Sequence, residues 1–205
     1  MRKPKLRELN EAIKAVIRGP YTGKFPFEPH TPPEAFRGKP EFHDDECIGC
    51  AACAEVCPAL AIRVIDEPGA HPPARRLELR YDKCVFCGQC ELHCTTKDGI
   101  RLSKAYDLAT FDRSQCVERI EHELVICEVC GAIVGAKKHL RWVAQQLGAK
   151  AYANPTLIVT SDAGMQLAVR DAGRGDEPAL ARSDMMRVMC PACRRTMVVR
   201  EMWGE

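Results

Sequence analysis

Apolar residues near the start of the chain recur at three- and four-residue steps, as on a helix with one apolar face. The stripe consists of Leu6, Leu9, Ile13, Val16 and Ile17. Gly19 and Pro20 end the repeat, so the pattern predicts an amphipathic helix within residues 1–18. Basic residues crowd the start of this helix, which fits either an ordinary solvated face or a contact to anionic membrane headgroups.

Residues 20–46 contain six prolines and two glycines, so they cannot form a regular helix or strand. The segment also holds aromatic residues, which disordered linkers lack. These are Tyr21, Phe25, Phe27, Phe36 and Phe42. We therefore expect residues 1–46 to be a helix and an extended arm that dock against another protein.

Two segments further along alternate between apolar and polar residues, as strands do. They cover residues 61–66 and 77–81, with the turn-rich residues 67–73 between them. The first segment follows one run of cysteines, and the second precedes another run. A unit of cysteine loop, short helix and strand therefore occurs twice. This internal repeat predicts a pseudo-symmetric α+β domain over residues 47–112.

The last part of the chain, residues 113–205, mixes strand-like and helical patterns. Apolar, strand-like residues occur at 124–126 and 188–189. Between them, the stripe of Leu140, Val143 and Leu147 predicts a helix over residues 136–147. An apolar run follows at 157–159, and a second helix is expected near residues 163–172. We expect this insert to fold as a unit of its own.

Eight of the thirteen cysteines form two runs with the same C-x2-C-x2-C-x3-C spacing. The first run is Cys47, Cys50, Cys53 and Cys57, and the second is Cys84, Cys87, Cys90 and Cys94. Bacterial-type ferredoxins hold [4Fe–4S] clusters with this spacing. Disulfides are the alternative, but two-residue loops suit metal better, and neither a signal peptide nor a small secreted domain supports them.

The resemblance to two-cluster ferredoxins implies a fold and two ligand sets. In these proteins the fourth cysteine of each run ligates the other run's cluster. The resemblance implies one cluster on Cys47, Cys50, Cys53 and Cys94, and a second on Cys84, Cys87, Cys90 and Cys57. Apolar residues in and beyond the loops should shield both clusters from water, namely Ile48, Ala51, Ala52, Ile62, Val85, Phe86 and Ile100.

The second run departs from the first in two places. Thr95 stands where the first run has Pro58, which returns a backbone N–H that can donate to a sulfur. The step from the fourth cysteine to the next apolar position of the repeat is one residue longer after Cys94 than in the first run. We expect Gly99 to absorb it with a backbone angle that other residues avoid.

Two further C-x2-C pairs, Cys127 with Cys130 and Cys190 with Cys193, are separated by 59 intervening residues. Four sulfurs of this kind make a tetrahedral site for a structural Zn2+ or for a single rubredoxin-type iron. Four unligated cysteines are the alternative. We expect a zinc ribbon, because closed four-thiolate sites are most often structural. Cys116 is left over and is interpreted as a small buried apolar residue.

Charge and hydropathy exclude several classes of protein. The net charge is +2, whereas a nucleic-acid-binding domain would show a strongly basic stripe. No stretch approaches the roughly 18 apolar residues of a membrane span, and the N-terminus lacks the apolar core of a secretion signal. Thirteen cysteines kept as thiolates need a reducing compartment, so we expect the cytoplasm.

The segments before the first cysteine run sharpen the resemblance. The helix is followed by Phe25-Pro26-Phe27-Glu28-Pro29 and then by Phe36-Arg37-Gly38-Lys39-Pro40. This order is similar to the two-cluster ferredoxin subunit of formate hydrogenlyase and related membrane-bound [NiFe] hydrogenases, itself similar to the two-cluster subunit of respiratory complex I. The resemblance covers about residues 1–130 and 188–195.

The resemblance implies an electron relay that has no catalytic residue of its own. Electrons from an iron–sulfur donor subunit would pass through the clusters to a hydrogenase or complex I-type catalytic subunit. This places the chain on the cytoplasmic side of a membrane arm. The alternative is an independent ferredoxin whose zinc ribbon binds protein or nucleic acid, supported only by Arg194 and Arg195, which are ordinarily solvated charges. A standalone reductase would need a nucleotide-binding fingerprint, which the glycine pattern lacks.

Overall fold

A computed structural model describes residues 5–19, 22–161 and 185–204. The chain divides into two compact units, Met1–Phe36 and Arg37–Glu205. Within the described ranges, no helix combines the length and the apolar character needed to cross a membrane. The helix predicted near residues 163–172 lies outside the described residues.

The first unit contains the predicted amphipathic helix, α1, which spans Leu6–Arg18. Glu8 accepts a hydrogen bond from the Lys5 backbone N–H at 3.1 Å, and Gly19 donates to the Ala15 carbonyl at the other end. No residue of α1 is buried, and Leu6 and Val16 on its apolar stripe are 86% and 84% exposed. Residues 22–36 form turns and irregular segments.

The second unit begins with a strand–loop–helix–strand sequence that occurs twice. The first copy contains β1 (Pro40–Phe42), α2 (Ala52–Glu55) and β2 (Ile62–Glu67), and the second contains β3 (Ala74–Arg80), α3 (Gln89–Leu92) and β4 (Ile100–Leu102). Strand β1 pairs antiparallel with β4, and β2 pairs antiparallel with β3. The two copies are therefore joined by two strand pairs, since each strand of one copy pairs with a strand of the other.

The two cysteine loops share an unusual backbone. Left-handed backbone angles occur at the same three positions in both runs. These positions lie two residues after the first cysteine of the run, one residue after its second cysteine and three residues after its fourth. The pairs are Gly49 with Phe86, Ala51 with Gly88, and Leu60 with Lys97, with φ between 48° and 78°. Because non-glycine residues rarely adopt such angles, the match shows that both runs fold as the same local structure.

The C-terminal part continues the same sheet. It contains β5 (Val117–Ile126), β6 (Ile133–Ala136), α4 (Lys137–Leu147), α5 (Pro155–Ser161) and α6 (Pro191–Trp203), with short 3-10 helices at Arg113–Gln115 and Gly148–Ala153. The strand order is β2-β3-β5-β6, so one antiparallel sheet extends from the cysteine-loop region into the C-terminal part. The helix predicted over residues 136–147 is confirmed as α4, whereas the apolar run at 157–159 lies in the short helix α5.

The predicted divisions after residues 46 and 112 do not coincide with the division in the structure. Strand β1 lies before the first cysteine and pairs with β4, while β5 pairs with β3 from Val117 to Glu123. Phe42 packs against the core of Leu77, Leu79 and Ile100. Residues 37–46 thus belong to the fold, because long-range strand pairing does not follow local composition.

A hydrogen-bonded group ties β1 to β5. The Tyr81 hydroxyl bonds to the Pro40 carbonyl at 2.9 Å and to the Glu118 carboxylate, which also accepts the Phe42 N–H at 2.8 Å. Burial and the hydrogen bond with Glu118 raise the pKa of Tyr81. The neutral phenol therefore fixes the strand that precedes the first cysteine loop.

Gly38 packs so closely that a side chain would not fit. A Cβ atom there would lie 2.4 Å from the Ser103 carbonyl oxygen and 2.5 Å from that of Ala105. Since both neighbours are backbone atoms, we expect Gly38→Ala to destabilise the protein by about 1–3 kcal/mol or more. Gly69→Ala is the matched control, because a Cβ there meets nothing within 4 Å. Thermal unfolding under anaerobic conditions measures both, and equal melting temperatures would contradict the prediction.

Candidate metal centres

The structure groups the eight cysteines of the two runs into two sets of four around separate cavities. The first cage, as we call it, is lined by Cys47, Cys50, Cys53 and Cys94. The second cage is lined by Cys84, Cys87, Cys90 and Cys57. In each, the fourth cysteine comes from the other run. The two cavities are similar in size.

The chemistry of these sulfur sets fits a cationic centre. Burial, followed by the charges of neighbouring cysteines, raises the pKa of Cys53 to about 12. Burial, partly offset by backbone hydrogen bonds, raises the pKa of Cys90 to about 11. Thiols with such a raised pKa do not ionise on their own near neutral pH, whereas a metal centre deprotonates coordinating thiols outright. The cages therefore suit thiolate ligands of a metal cluster.

The two cages differ in their exposure to solvent. In the first loop, Cys47, Ile48 and Cys53 are buried. In the second loop none of the cysteines is fully buried, and Val85 is 62% exposed. The predicted apolar shield is thus tighter around the first cage than around the second.

Two threonine hydroxyls contact sulfurs of the first cage. The Thr95 hydroxyl lies 3.2 Å from the Cys50 Sγ, and the Thr96 hydroxyl lies 3.5 Å from the Cys94 Sγ. Burial raises the pKa of Cys94, but the hydrogen bonds from Thr96 and from the backbones of Ile100 and Gly99 outweigh it, so this pKa is lowered. The sequence predicted a restored backbone donor at Thr95, and the structure shows a hydroxyl contact.

Gly99 has a different role from the predicted one. It is not among the glycines with positive φ, and the left-handed residue of this turn is Lys97. A Cβ at Gly99 would lie 3.1 Å from the Cys47 Cα and 3.3 Å from the Cys94 Sγ. Glycine is needed here because the chain passes tightly against the first cage.

An arginine donates a hydrogen bond to the backbone of each cysteine loop. Arg75 donates to the Gly49 carbonyl at 3.1 Å while forming a two-pronged ion pair with Asp66 at 2.7 and 2.9 Å. Arg37, from the segment before β1, donates to the Cys87 carbonyl at 3.4 Å. These contacts satisfy carbonyl groups that the irregular loops leave without ladder partners.

A buried histidine packs under the first cysteine loop. His122, on β5, is 4% exposed, and neither of its ring nitrogens has a hydrogen-bond partner among the described residues. Its ring approaches so closely that a Cβ at Gly49 would lie 2.8 Å from the His122 Cδ2. Burial, and then the positive charge of Lys138, lower the pKa of His122, so the ring is neutral. The alternation of apolar and polar residues in the sequence did not indicate that this polar side chain would be buried.

The last two cysteine pairs meet at a third site, which we call the four-cysteine site. The sulfurs of Cys127, Cys130, Cys190 and Cys193 all lie within 4.8 Å of one another, and the Cys130 and Cys190 sulfurs are 3.7 Å apart. Thiolates about 2.3 Å from a tetrahedral ion are about 3.8 Å from each other. The donor set and its spacing therefore fit a single metal ion.

The two halves of the four-cysteine site have different local structures. Cys127 and Cys130 lie in the turn between β5 and β6, where Gly131 takes a left-handed angle. Cys190 is the N-cap of α6, and its sulfur accepts the Cys193 N–H at 3.5 Å. The site thus combines a strand hairpin with a helix start, not the two strand-flanked knuckles that the sequence predicted.

Arg194, interpreted from the sequence as a solvated charge, is bound inside this region. Its guanidinium donates to the Met185 carbonyl at 3.0 Å, to the Thr156 hydroxyl at 2.8 Å and to the Arg187 carbonyl at 3.0 Å. It therefore joins the start of α6 to α5. Of the two arginines, only Arg195 is exposed.

Three other residues with side chains that can bind metal lie outside these sets. Cys116 is half-buried and is not part of either cage or of the four-cysteine site. His43 and His93 are both exposed at the edges of the cysteine loops. None of the three lines a cage, so the cysteines alone form the cavities' sulfur sets.

The 4Fe-4S dicluster domain family matches residues 46–97, which include all eight cage cysteines. Formate hydrogenlyase subunit 6 of Escherichia coli is 36% identical over 129 residues, covering 62% of this chain and 70% of that protein. NAD(P)H-quinone oxidoreductase subunit I of Gloeobacter violaceus is 32% identical over 103 residues, covering 48% of each. A chain of the membrane-bound sulfane sulfur reductase, an archaeal respiratory membrane complex, is 29% identical with a TM-score of 0.39, covering 56% of this chain and 60% of that one.

The cages and the matched domain define an iron–sulfur protein of the [4Fe–4S] dicluster class. Within that class, the chain belongs to the family of formate hydrogenlyase subunit 6 and of NADH-quinone oxidoreductase subunit I. The resemblance drawn from the segments before the first cysteine run is thereby confirmed. The chain spans about half the length of the Gloeobacter relative.

Proposed function

We propose that this chain is an electron-transfer relay with one [4Fe–4S] cluster in each cysteine cage. The ligands are Cys47, Cys50, Cys53 and Cys94 in the first cage, and Cys84, Cys87, Cys90 and Cys57 in the second. The observation that carries the proposal is the grouping of eight sulfurs into two four-sulfur sets within one domain. Such clusters, when bound, supply one-electron transfer.

The protein's own residues provide position, burial and hydrogen bonds. The paired strands hold the two loops at a constant separation, because β1 pairs with β4 and β2 with β3. Leu77, Leu79 and Ile100 exclude water from the core between the loops. The rigid frame favours electron transfer, since fewer groups must rearrange when the charge changes.

The family supports a place in a larger oxidoreductase complex. We propose that the chain receives electrons from an iron–sulfur donor subunit and passes them to a catalytic subunit of the hydrogenase or complex I type. By itself it would catalyse no reaction. We place it on the cytoplasmic face of the cell membrane, held there by partner subunits, because the relatives are named as subunits of formate hydrogenlyase and quinone oxidoreductases.

The four-cysteine site is proposed to hold a structural Zn2+. Its sulfurs stand at the separation of a tetrahedral thiolate site, and Cys127, Cys190 and the nearby Met189 and Met197 are buried. Cys193 is partly buried and Cys130 is exposed. A closed site with four protein ligands is typical of structural zinc. A single rubredoxin-type iron would use the same four sulfurs and is the alternative.

Purification of the native complex tests the relay directly. An affinity-tagged full-length chain, isolated anaerobically after detergent solubilisation, should bring down a hydrogenase or complex I-type catalytic subunit in a fixed ratio. It should also contain eight cluster irons per chain and be reduced when the donor subunit is supplied with its substrate. Isolation as a free monomer with a full set of clusters would instead favour an independent ferredoxin.

Removal of the first unit should abolish assembly but spare the clusters. The apolar stripe of α1 and Phe27, which is 93% exposed, give this unit a surface suited to the apolar core of an interface. The deletion should end at Phe36, because Gly38 and Pro40 are buried in the second unit. We expect the truncated protein to keep eight cluster irons and its visible absorption while failing to co-purify with its complex.

Point variants separate docking from mere chain length. Ile13→Glu on the stripe of α1 should reduce co-purification strongly, whereas Lys14→Gln, beside it on the polar face, should not. Cluster loss in the truncated protein would mean that the first unit belongs to the ferredoxin fold. Normal assembly of both the truncated protein and Ile13→Glu would mean that this unit is dispensable.

A further inference from the structure

The hydroxyl contacts of the two cages are unequal. Thr95 and Thr96 place hydroxyl groups at 3.2 and 3.5 Å from sulfurs of Cys50 and Cys94, both in the first cage. The residues at the matching positions after Cys57 are Pro58 and Ala59, which carry no hydroxyl. At the second cage, backbone N–H groups contact Cys57 and Cys84, with Ala61 at 3.3 Å and Phe86 at 3.4 Å.

The chemistry of the ligands decides the direction of these hydrogen bonds. A cysteine that ligates iron is a thiolate, which can only accept, so each threonine hydroxyl must donate. The Thr96 oxygen already accepts the Gly99 N–H at 3.2 Å, which leaves the hydroxyl proton for Cys94. Gly99 in turn packs against Cys47 and Cys94, so this donor is held in place by the backbone.

Donors to cluster sulfurs act on the reduced form more than on the oxidised form. The reduced cluster carries one additional negative charge, and hydrogen bonds to a more negative acceptor are stronger. Burial acts in the opposite direction, since low-dielectric surroundings disfavour the more highly charged form. The first cage has the more buried cysteine loop, with Cys47 and Cys53 each less than 9% exposed.

We infer that Thr95 and Thr96 raise the reduction potential of the cluster in the first cage and so offset the effect of its burial. This inference rests on the proposed function, and it makes the two threonines tuning residues of the relay. Their hydroxyls keep the potential of the buried cluster near that of the exposed one, which allows electrons to pass in either direction between them. The hydrogen bonds to sulfur are an established lever on such potentials in general.

Redox titration followed by EPR tests the inference in the full-length, anaerobically purified protein. The double variant Thr95→Val and Thr96→Val removes both donors while keeping the shape of the side chains. We expect the equilibrium constant for reduction of the first-cage cluster to fall about tenfold. This corresponds to a reduction potential lower by about 59 mV for a one-electron couple. The second-cage cluster should keep its potential. The double variant Thr95→Ser and Thr96→Ser should restore the original value, because serine keeps the donor.

A control and an assignment complete the experiment. Thr110→Val removes a hydroxyl that contacts Asp112 and Gln115 and no cysteine, so neither potential should change. Cys57→Ala should leave the first-cage cluster as the remaining cubane, which assigns its EPR signal. In the Cys57→Ala background, the two valine substitutions must still shift the potential of this cluster. If the valine variant keeps eight cluster irons but neither potential changes, or if both potentials shift equally, the inference is wrong while the proposed function stands. A chain purified without clusters would overturn the proposed function as well.

Discussion

Replacing Cys57 by alanine should remove the cluster held by Cys84, Cys87 and Cys90, although Cys57 lies in the other run. The second cage takes its fourth sulfur from Cys57, and burial, followed by the charge of Cys57, raises the pKa of Cys84. Loss of one of four ligands leaves an iron without its thiolate. We expect about four irons to remain per chain and one of two EPR signals to disappear, measured in protein purified anaerobically.

The mirror variant, Cys94→Ala, should remove the cluster of the first cage. Cys94 lines that cage, and its charge is among the causes that raise the pKa of Cys47 after burial itself. Cys116→Ala serves as the control, because Cys116 lines neither cage, and it should retain all eight cluster irons. If each variant instead lost the cluster of its own run, the crossed ligand sets would be wrong.

Replacing Cys190 by serine should release the metal of the four-cysteine site and lower the stability of the C-terminal part, while both cubanes stay assembled. Cys190 is 6% exposed and also caps α6 by accepting the Cys193 N–H. Serine is a good helix cap, so this change isolates the loss of a metal ligand. Since structural zinc can contribute about 10 kcal/mol or more to folding in small domains, we expect a large fall in the melting temperature.

Metal analysis distinguishes the two candidates for this site. One zinc per chain in the parent protein and none in Cys190→Ser would support the structural role. Cys116→Ser, whose sulfur lies outside the site, should keep the metal. A single iron that cycles between the ferric and ferrous states during turnover would contradict the zinc assignment, and the site would then be a third redox station.

Local sequence patterns predicted the elements that depend on near neighbours. The stripe of α1 and that of α4 follow from the three- and four-residue steps, and both helices occur at the predicted residues. The second knuckle was harder to predict, since Pro191 and the residues after it begin α6 in place of a strand. Proline at the first helical position with a cap before it is a recognised start signal, and it was available in the sequence.

The side chains that support the site could not be predicted in the same way. Thr96 acts through a sulfur two residues away, but its hydroxyl is positioned by the Gly99 backbone. Arg194 looks like a surface charge, yet its three partners lie up to 38 residues away in the chain. His122 occupies an inward position of β5 where an apolar residue would be expected. These roles depend on which distant segments meet.

By itself, the sequence determined that two cysteine loops have the same spacing and that four more cysteines form a candidate metal-binding set. Covalent spacing places cysteines three residues apart near one another whatever the rest of the chain does. The tertiary structure decided that β1 and Phe42 belong to the domain core, that Gly38 must be glycine, and that two threonines contact only one cage. The physical reason is that strand pairing and close packing join segments distant in the chain, and a local pattern carries no record of them.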